Sequence, residues 1–83
     1  MIEVIIYSKP DCHLCEEAKA VLHRAQRRLP FALREINIEE EAEAYAAYKE
    51  QIPVIFVAGK KAFKYRVSED ELLQRLKRAR ERY

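Results

Sequence analysis

The chain has 83 residues, enough for one small domain with a single modest core. Hydrophobic residues make up 49% of it and charged residues 36%, so a folded, well-solvated globule is expected. The net charge of +2 gives no argument by itself for nucleic acid or an anionic membrane, and no apolar run approaches the roughly 18 residues of a membrane span.

Residues 2–7 are β-branched and aromatic, with Glu3 the only charge, and read as a buried strand. A helix is expected over about 13–29. Ala18, Val21, Leu22, Ala25 and Leu29 form its apolar stripe, Arg24, Arg27 and Arg28 suit its negative end, and Pro30 closes it. Phe31, Leu33, Ile36 and Ile38 suggest a second strand with imperfect alternation. Asn37 can cap a second helix over about 39–49, with Ala42, Tyr45, Ala46 and the stem of Lys49 expected toward the sheet.

Residues 53–57 give the clearest strand. Ala58-Gly59-Lys60 follows, and residues 61–66 then alternate, the pattern of a tight hairpin with Gly59 at a positive φ. Ser68 and Glu71 make a capping box for a last helix, Val67 and Leu72 its hydrophobic staple, and Leu72, Leu73, Leu76 and Ala79 its buried stripe. Lys77, Arg78, Arg80 and Arg82 cluster near the end, but Glu81 interrupts them, so a solvated face is expected and no nucleic-acid partner. The element order β-α-β-α-β-β-α predicts a single α/β domain over 1–83, four strands with helices on both faces.

The chemistry concentrates in Ser8-Lys9-Pro10-Asp11-Cys12-His13-Leu14-Cys15, between the first strand and the first helix. A thiol there meets the unpaired N–H groups and partial positive charge of a helix N-terminus, which favour the reactive thiolate. Cys15, one turn further on, can attack a disulfide formed by Cys12, so strand, C-x-x-C and helix together make a thiol–disulfide exchange device. Asp11, Glu16 and Glu17 oppose the thiolate, but as exposed carboxylates they are screened, and the fixed N–H groups should win. His13 reads as a solvent-facing residue, as a charge favouring the thiolate, or as a metal ligand. Haem attachment is excluded, because C-x-x-C-H would need histidine where Glu16 stands.

This order of elements, the C-x-x-C at the first strand–helix junction and Ile52-Pro53 before the third strand resemble the thioredoxin fold. The run Tyr7-Ser8-Lys9-Pro10-Asp11-Cys12 is similar to the approach to the active site in glutaredoxins. The resemblance implies a four-stranded mixed sheet flanked by three helices, with Cys12 as nucleophile and Cys15 as resolving cysteine. It implies that Lys9 helps bind the carboxylate of glutathione, and that Pro53 is a cis-proline packed against the cysteines. Ile52 would then present backbone groups to an extended substrate. One departure bears on the partner. Glutathione-binding glutaredoxins carry Gly-Gly and an acidic residue before the last helix, where this chain has Arg66-Val67-Ser68-Glu69-Asp70. The Arg66 and Val67 side chains would occupy the space that glutathione's backbone needs.

The expected function is a dithiol disulfide oxidoreductase with no bound cofactor. Its substrate would be a disulfide in a protein or small molecule, and its reductant glutathione or a thioredoxin-reductase-type enzyme. A cytoplasmic location is expected, since the start, Met1-Ile2-Glu3-Val4, lacks the regions of a signal peptide, and the protein is expected to be a monomer. The alternative is a soft-metal or iron–sulfur module using Cys12 and Cys15. Small metallochaperones also place C-x-x-C at this junction, but in the order β-α-β-β-α-β, ending on a strand.

Overall fold

A computed structural model describes residues 1–82, without the side chain of Arg82; the share of the basic face expected from Arg82, and Tyr83 at the domain's end, lie outside the described residues. The elements are β1 (Glu3–Ser8), α1 (His13–Arg28), β2 (Ala32–Asn37), a 3-10 turn (Ile38–Glu40), α2 (Ala42–Tyr48), β3 (Val54–Val57), β4 (Lys60–Lys64) and α3 (Glu69–Arg82). The four strands form one mixed sheet in the order β2-β1-β3-β4. β1 pairs parallel with β2, as a helical crossover between them allows, and antiparallel with β3, which pairs antiparallel with β4. The fold is the expected α/β arrangement.

Strand alternation decides what each face of the sheet buries. Ile2, Val4 and Ile6 pack with Ile55 and Val57 of β3 against Ala18, Leu22 and Ala25 of α1 and Leu72, Leu73 and Leu76 of α3. The stripes expected on α1 and α3 therefore face the core. Glu69 ties these two helices at the surface, accepting from Arg24 at 2.9 Å and from Arg28 at 3.3 Å. A second, smaller cluster holds Cys15, Ile38, Ala44 and Ile52, with Tyr7, Cys12 and Tyr48 packed against it.

The second helix differs from expectation. Asn37 does cap, but it caps the 3-10 turn, accepting from the Glu39 N–H at 2.9 Å, and α2 starts only at Ala42. Its inward face is Ala44 and Tyr48, whereas Ala42, Tyr45, Ala46 and Lys49 are exposed. The physical reason is the ring of Tyr48, which packs 4.9 Å from that of Tyr7 and 6.1 Å from that of Phe56 and so sets the rotation of the helix. β4 departs as well. Lys61 stands opposite Phe56 but Phe63 opposite Ile55, so Ala62 is an extra residue, and Ala62 and Phe63 are both partly buried where alternation was expected.

The hairpin turn has Ala58 at φ 51° and Gly59 at φ 82°, both left-handed, the geometry of a type I′ turn. Glycine adopts it freely, while Ala58 carries about 1–2 kcal/mol of strain. Ser68 caps α3 as expected, its Oγ accepting from the Glu71 N–H at 3.4 Å. Lys77, Arg78 and Arg80 are exposed on that helix. Among the described residues no helix is long and apolar enough to cross a membrane.

Candidate active site

β1 ends at Ser8, the chain turns through Lys9, Pro10 and Asp11, and α1 begins at His13. The turn needs a left-handed residue, which Asp11 supplies at φ 59°, a conformation that aspartate tolerates better than most side chains. Cys12 is the N-cap of α1, in extended conformation. Its carbonyl accepts the Glu16 N–H at 3.1 Å and its sulfur accepts the Cys15 N–H at 3.2 Å. Cys12 and Cys15 are joined as a disulfide, with their Cα atoms 5.2 Å apart. Cys15 is fully buried and Cys12 only partly so. The sulfur within reach of a partner is thus the one held by a helix N-terminal N–H.

Ile52 joins Cys15 in the smaller cluster, and Cys12 packs against it. The Ile52–Pro53 peptide bond is cis and Pro53 is fully buried. The Pro53 carbonyl accepts the Tyr65 N–H at 2.9 Å, which fastens the end of β4 beside this segment. Lys9 is exposed on the turn. His13 is also in solvent, its side chain 90% exposed with Nε2 3.8 Å from Glu17 Oε1 one helical turn on. The structure therefore brings Cys12, Cys15 and Ile52 together and leaves Lys9 and His13 at the rim. Among the described residues no group of three His, Cys, Asp or Glu side chains is arranged to hold a metal ion.

Ser8, Glu16, Lys19 and Glu35 form a polar cluster that sequence reading misses. Ser8, buried at the end of β1, donates from Oγ to Glu35 Oε2 at 3.0 Å. Lys19 donates to the same oxygen at 2.9 Å, and its Nζ lies 2.6 Å from Glu16 Oε2. These partners lie 27 and 16 residues apart, and only the Glu16–Lys19 spacing had a local signal. Hydrogen bonding to Lys19, with help from Ser8, holds Glu35 below the usual glutamate value of 4.5. Glu16 first and Glu35 second raise Lys19 above 10.5. Because Glu35 is depressed on folding, its contribution to stability is present above pH 4.5 and is lost as pH falls through the folded value. Glu35→Gln should therefore be less stable than the parent at pH 6 in urea unfolding, with the gap closing toward pH 3; a gap that persists at pH 3 contradicts this.

On the α1 side of Cys12 an open groove of ≈ 350 Å³ runs between that helix and the segment leading into α3. Leu14 and Val21 line one wall, Tyr65, Arg66 and Val67 the other. Arg66 and Val67 thus line the same groove as Leu14, one of the two residues between the cysteines.

Residues 3–77 match the family model described as Glutaredoxin-like domain (DUF836). The chain belongs to the glutaredoxin-like domain family. A Dictyostelium discoideum protein named glutaredoxin-like protein YDR286C homolog is 31% identical over 77 residues, covering 86% of this chain and 71% of that one. The solution structure of protein Ne2328 from Nitrosomonas europaea matches with a TM-score of 0.78 and 30% identity, over 90% of this chain and 91% of the other. A thioredoxin-2 described as a component of malaria parasite protein secretion machinery aligns with a TM-score of 0.74 at 13% identity, over 94% of this chain and 82% of the other, and speaks for the fold alone. The glutaredoxin-like chain has a thioredoxin-like fold, with its C-x-x-C disulfide at the first strand–helix junction. Both support thiol–disulfide oxidoreductase chemistry in general terms.

Proposed function

We propose that this glutaredoxin-like protein is a dithiol oxidoreductase in which Cys12 is the nucleophile and Cys15 the resolving thiol. The Cys12 thiolate attacks one sulfur of a substrate disulfide, forms a mixed disulfide and releases the other sulfur as a thiolate. The Cys15 thiol, on losing its proton, attacks Cys12 Sγ, closes the Cys12–Cys15 disulfide and releases the second substrate thiolate. Two electrons have then passed to the substrate. Two equivalents of thiol, or a reductase, return them and regenerate both cysteines. The observation that carries this reading is the placement of Cys12 as N-cap, its sulfur accepting the Cys15 N–H at 3.2 Å with Cys15 buried behind it.

On this reading the substrate is a disulfide in a protein or a small molecule, and Ile52, preceding the buried Pro53, offers its backbone to an extended segment. Lys9 and His13 meet the substrate at the rim. No cofactor is bound, and the protein works as a cytoplasmic monomer in cell redox homeostasis. The side chains of Arg66 and Val67 on the groove wall favour protein disulfides over glutathione adducts. The metal-binding alternative is weakened by α2, a helix between the second and third strands that the metallochaperone order lacks.

The test is to supply electrons to the oxidised protein first from glutathione with its reductase, then from NADPH with thioredoxin reductase. Insulin and a glutathionylated peptide serve as acceptors. Turnover from at least one donor, faster on insulin, is expected. Failure of both donors to reduce the Cys12–Cys15 pair, or metal retained on it through gel filtration, overturns the reading.

A further inference from the structure

The cluster of Ser8, Glu16, Lys19 and Glu35 is tied through the chain to the segment that carries the cysteines. Lys19 lies one turn after Cys15 on α1, and Glu16 directly follows Cys15. Glu16 is also the residue whose N–H holds the Cys12 carbonyl. Ser8 is the last residue before the turn that delivers Cys12. One ammonium therefore gathers two carboxylates, Glu16 and Glu35, and through Glu35 reaches the buried Ser8 hydroxyl. Both ends of the turn, and β2 beside it, are fastened to a single point.

We propose that Lys19 is a positioning residue for the reaction at Cys12. Its ammonium holds the Glu16 and Glu35 carboxylates in one ion cluster, so that the Cys12 thiolate forms near a partly compensated charge rather than near two bare anions. The inference rests on the reading of Cys12 as nucleophile. The charged groups on the elements that flank Cys12 are several. Lys9 and Asp11 lie on the turn, His13, Glu16, Glu17 and Lys19 on α1, and Glu35 on β2, while Tyr7 of β1 and Tyr48 of α2 pack, like Cys12, against the cluster that holds Cys15. Of the α1 carboxylates, Glu17 faces His13 and only Glu16 is held by a lysine. Lys19 is mostly sheltered, its side chain 24% exposed, so salt screens it less than the rim charges.

Removing the Lys19 charge takes the cluster from a net charge of −1 to −2, leaving two uncompensated carboxylates that disfavour a third negative charge nearby. With Glu16 one turn after Cys12, such a change is expected to lower the thiolate fraction about three- to tenfold on the acid side of its titration. The reduced form loses the same stabilisation, so the disulfide becomes harder to reduce. For this two-electron couple, that lowers the potential by about 14–30 mV.

The experiment is the pH profile of iodoacetamide alkylation of reduced Cys12 in the parent, Lys19→Met, Lys19→Arg, Glu16→Gln and the double variant Glu16→Gln/Lys19→Met, each in the Cys15→Ala background. Lys19→Met should move the midpoint up with an unchanged high-pH plateau, Lys19→Arg should restore it, and removing Glu16's charge as well should reverse part of the shift. Glu16→Gln alone, which keeps the ammonium, should move the midpoint down and stays informative should Lys19→Met fail to fold. Midpoints equal to the parent's in Lys19→Met and Glu16→Gln, with only thermal stability changed, overturn the proposal and leave the enzyme reading standing. A parent midpoint like that of a free cysteine instead sinks the enzyme reading itself.

Discussion

Cys12→Ser is expected to reduce disulfide turnover to background, a loss of at least about a thousandfold, while leaving the fold intact. Serine is among the best N-cap residues, so its hydroxyl can accept the same helix N–H that the Cys12 sulfur accepts. What disappears is the only atom at that point able to form a mixed disulfide. Cys15→Ala behaves differently. Cys15 is fully buried among Ile38, Ala44 and Ile52, where a serine hydroxyl would lack a partner but alanine leaves only a small void, costing about 1 kcal/mol. Without the resolving thiol, protein substrates should accumulate as mixed disulfides on Cys12, whereas small mixed disulfides should still be exchanged at a reduced rate. Mass spectrometry of the trapped adduct together with steady-state turnover checks both. Retained activity in Cys12→Ser, or adducts on Cys15 instead, contradicts the assignment.

The largest expected effect on stability lies elsewhere, at the centre of the sheet. Ile55 is fully buried on β3, opposite Ile6 in one ladder and Phe63 in the other, and packs in the cluster that joins α1 and α3 to the sheet. Ile55→Ala removes that contact from between two neighbouring strands, so the void has little room to collapse. A cost of about 2–5 kcal/mol is expected against a total of about 5–15 kcal/mol for a domain of ordinary stability. The urea midpoint should fall steeply, while exposed Lys60→Ala on the same hairpin should stay within about 0.5 kcal/mol of the parent. An Ile55→Ala cost below about 1 kcal/mol would mean that the core is not where the strand alternation puts it.

Much of this was legible in the sequence for a local reason. Val4 and Ile6 alternate with Glu3 and Ile5, Leu22 and Ala25 recur at helical spacing, and Ser68 precedes Glu71 by three; each signal lies within a few residues. The rotation of α2 was not legible, because Ala42, Ala44, Ala46 and Ala47 offer almost no contrast between faces. The deciding contact, Tyr48 against Tyr7, spans most of the chain's first half. The extra residue at Ala62 has no signature in a strand that reads Lys-Lys-Ala-Phe-Lys. At the site, the cysteine pair stood out by spacing alone. Lys19 and Glu35 did not, since a helix–strand ion pair between distant residues looks like two ordinary surface charges until the chain folds.

The measurement that bears most directly on the central claim is the rate at which reduced Cys12 is alkylated as a function of pH, with Cys15 followed in parallel. The account predicts that Cys12 reacts with a midpoint below the ordinary cysteine value of about 8.5 and well ahead of the buried Cys15. A Cys12 that titrates and reacts like a cysteine in an unstructured peptide would contradict it.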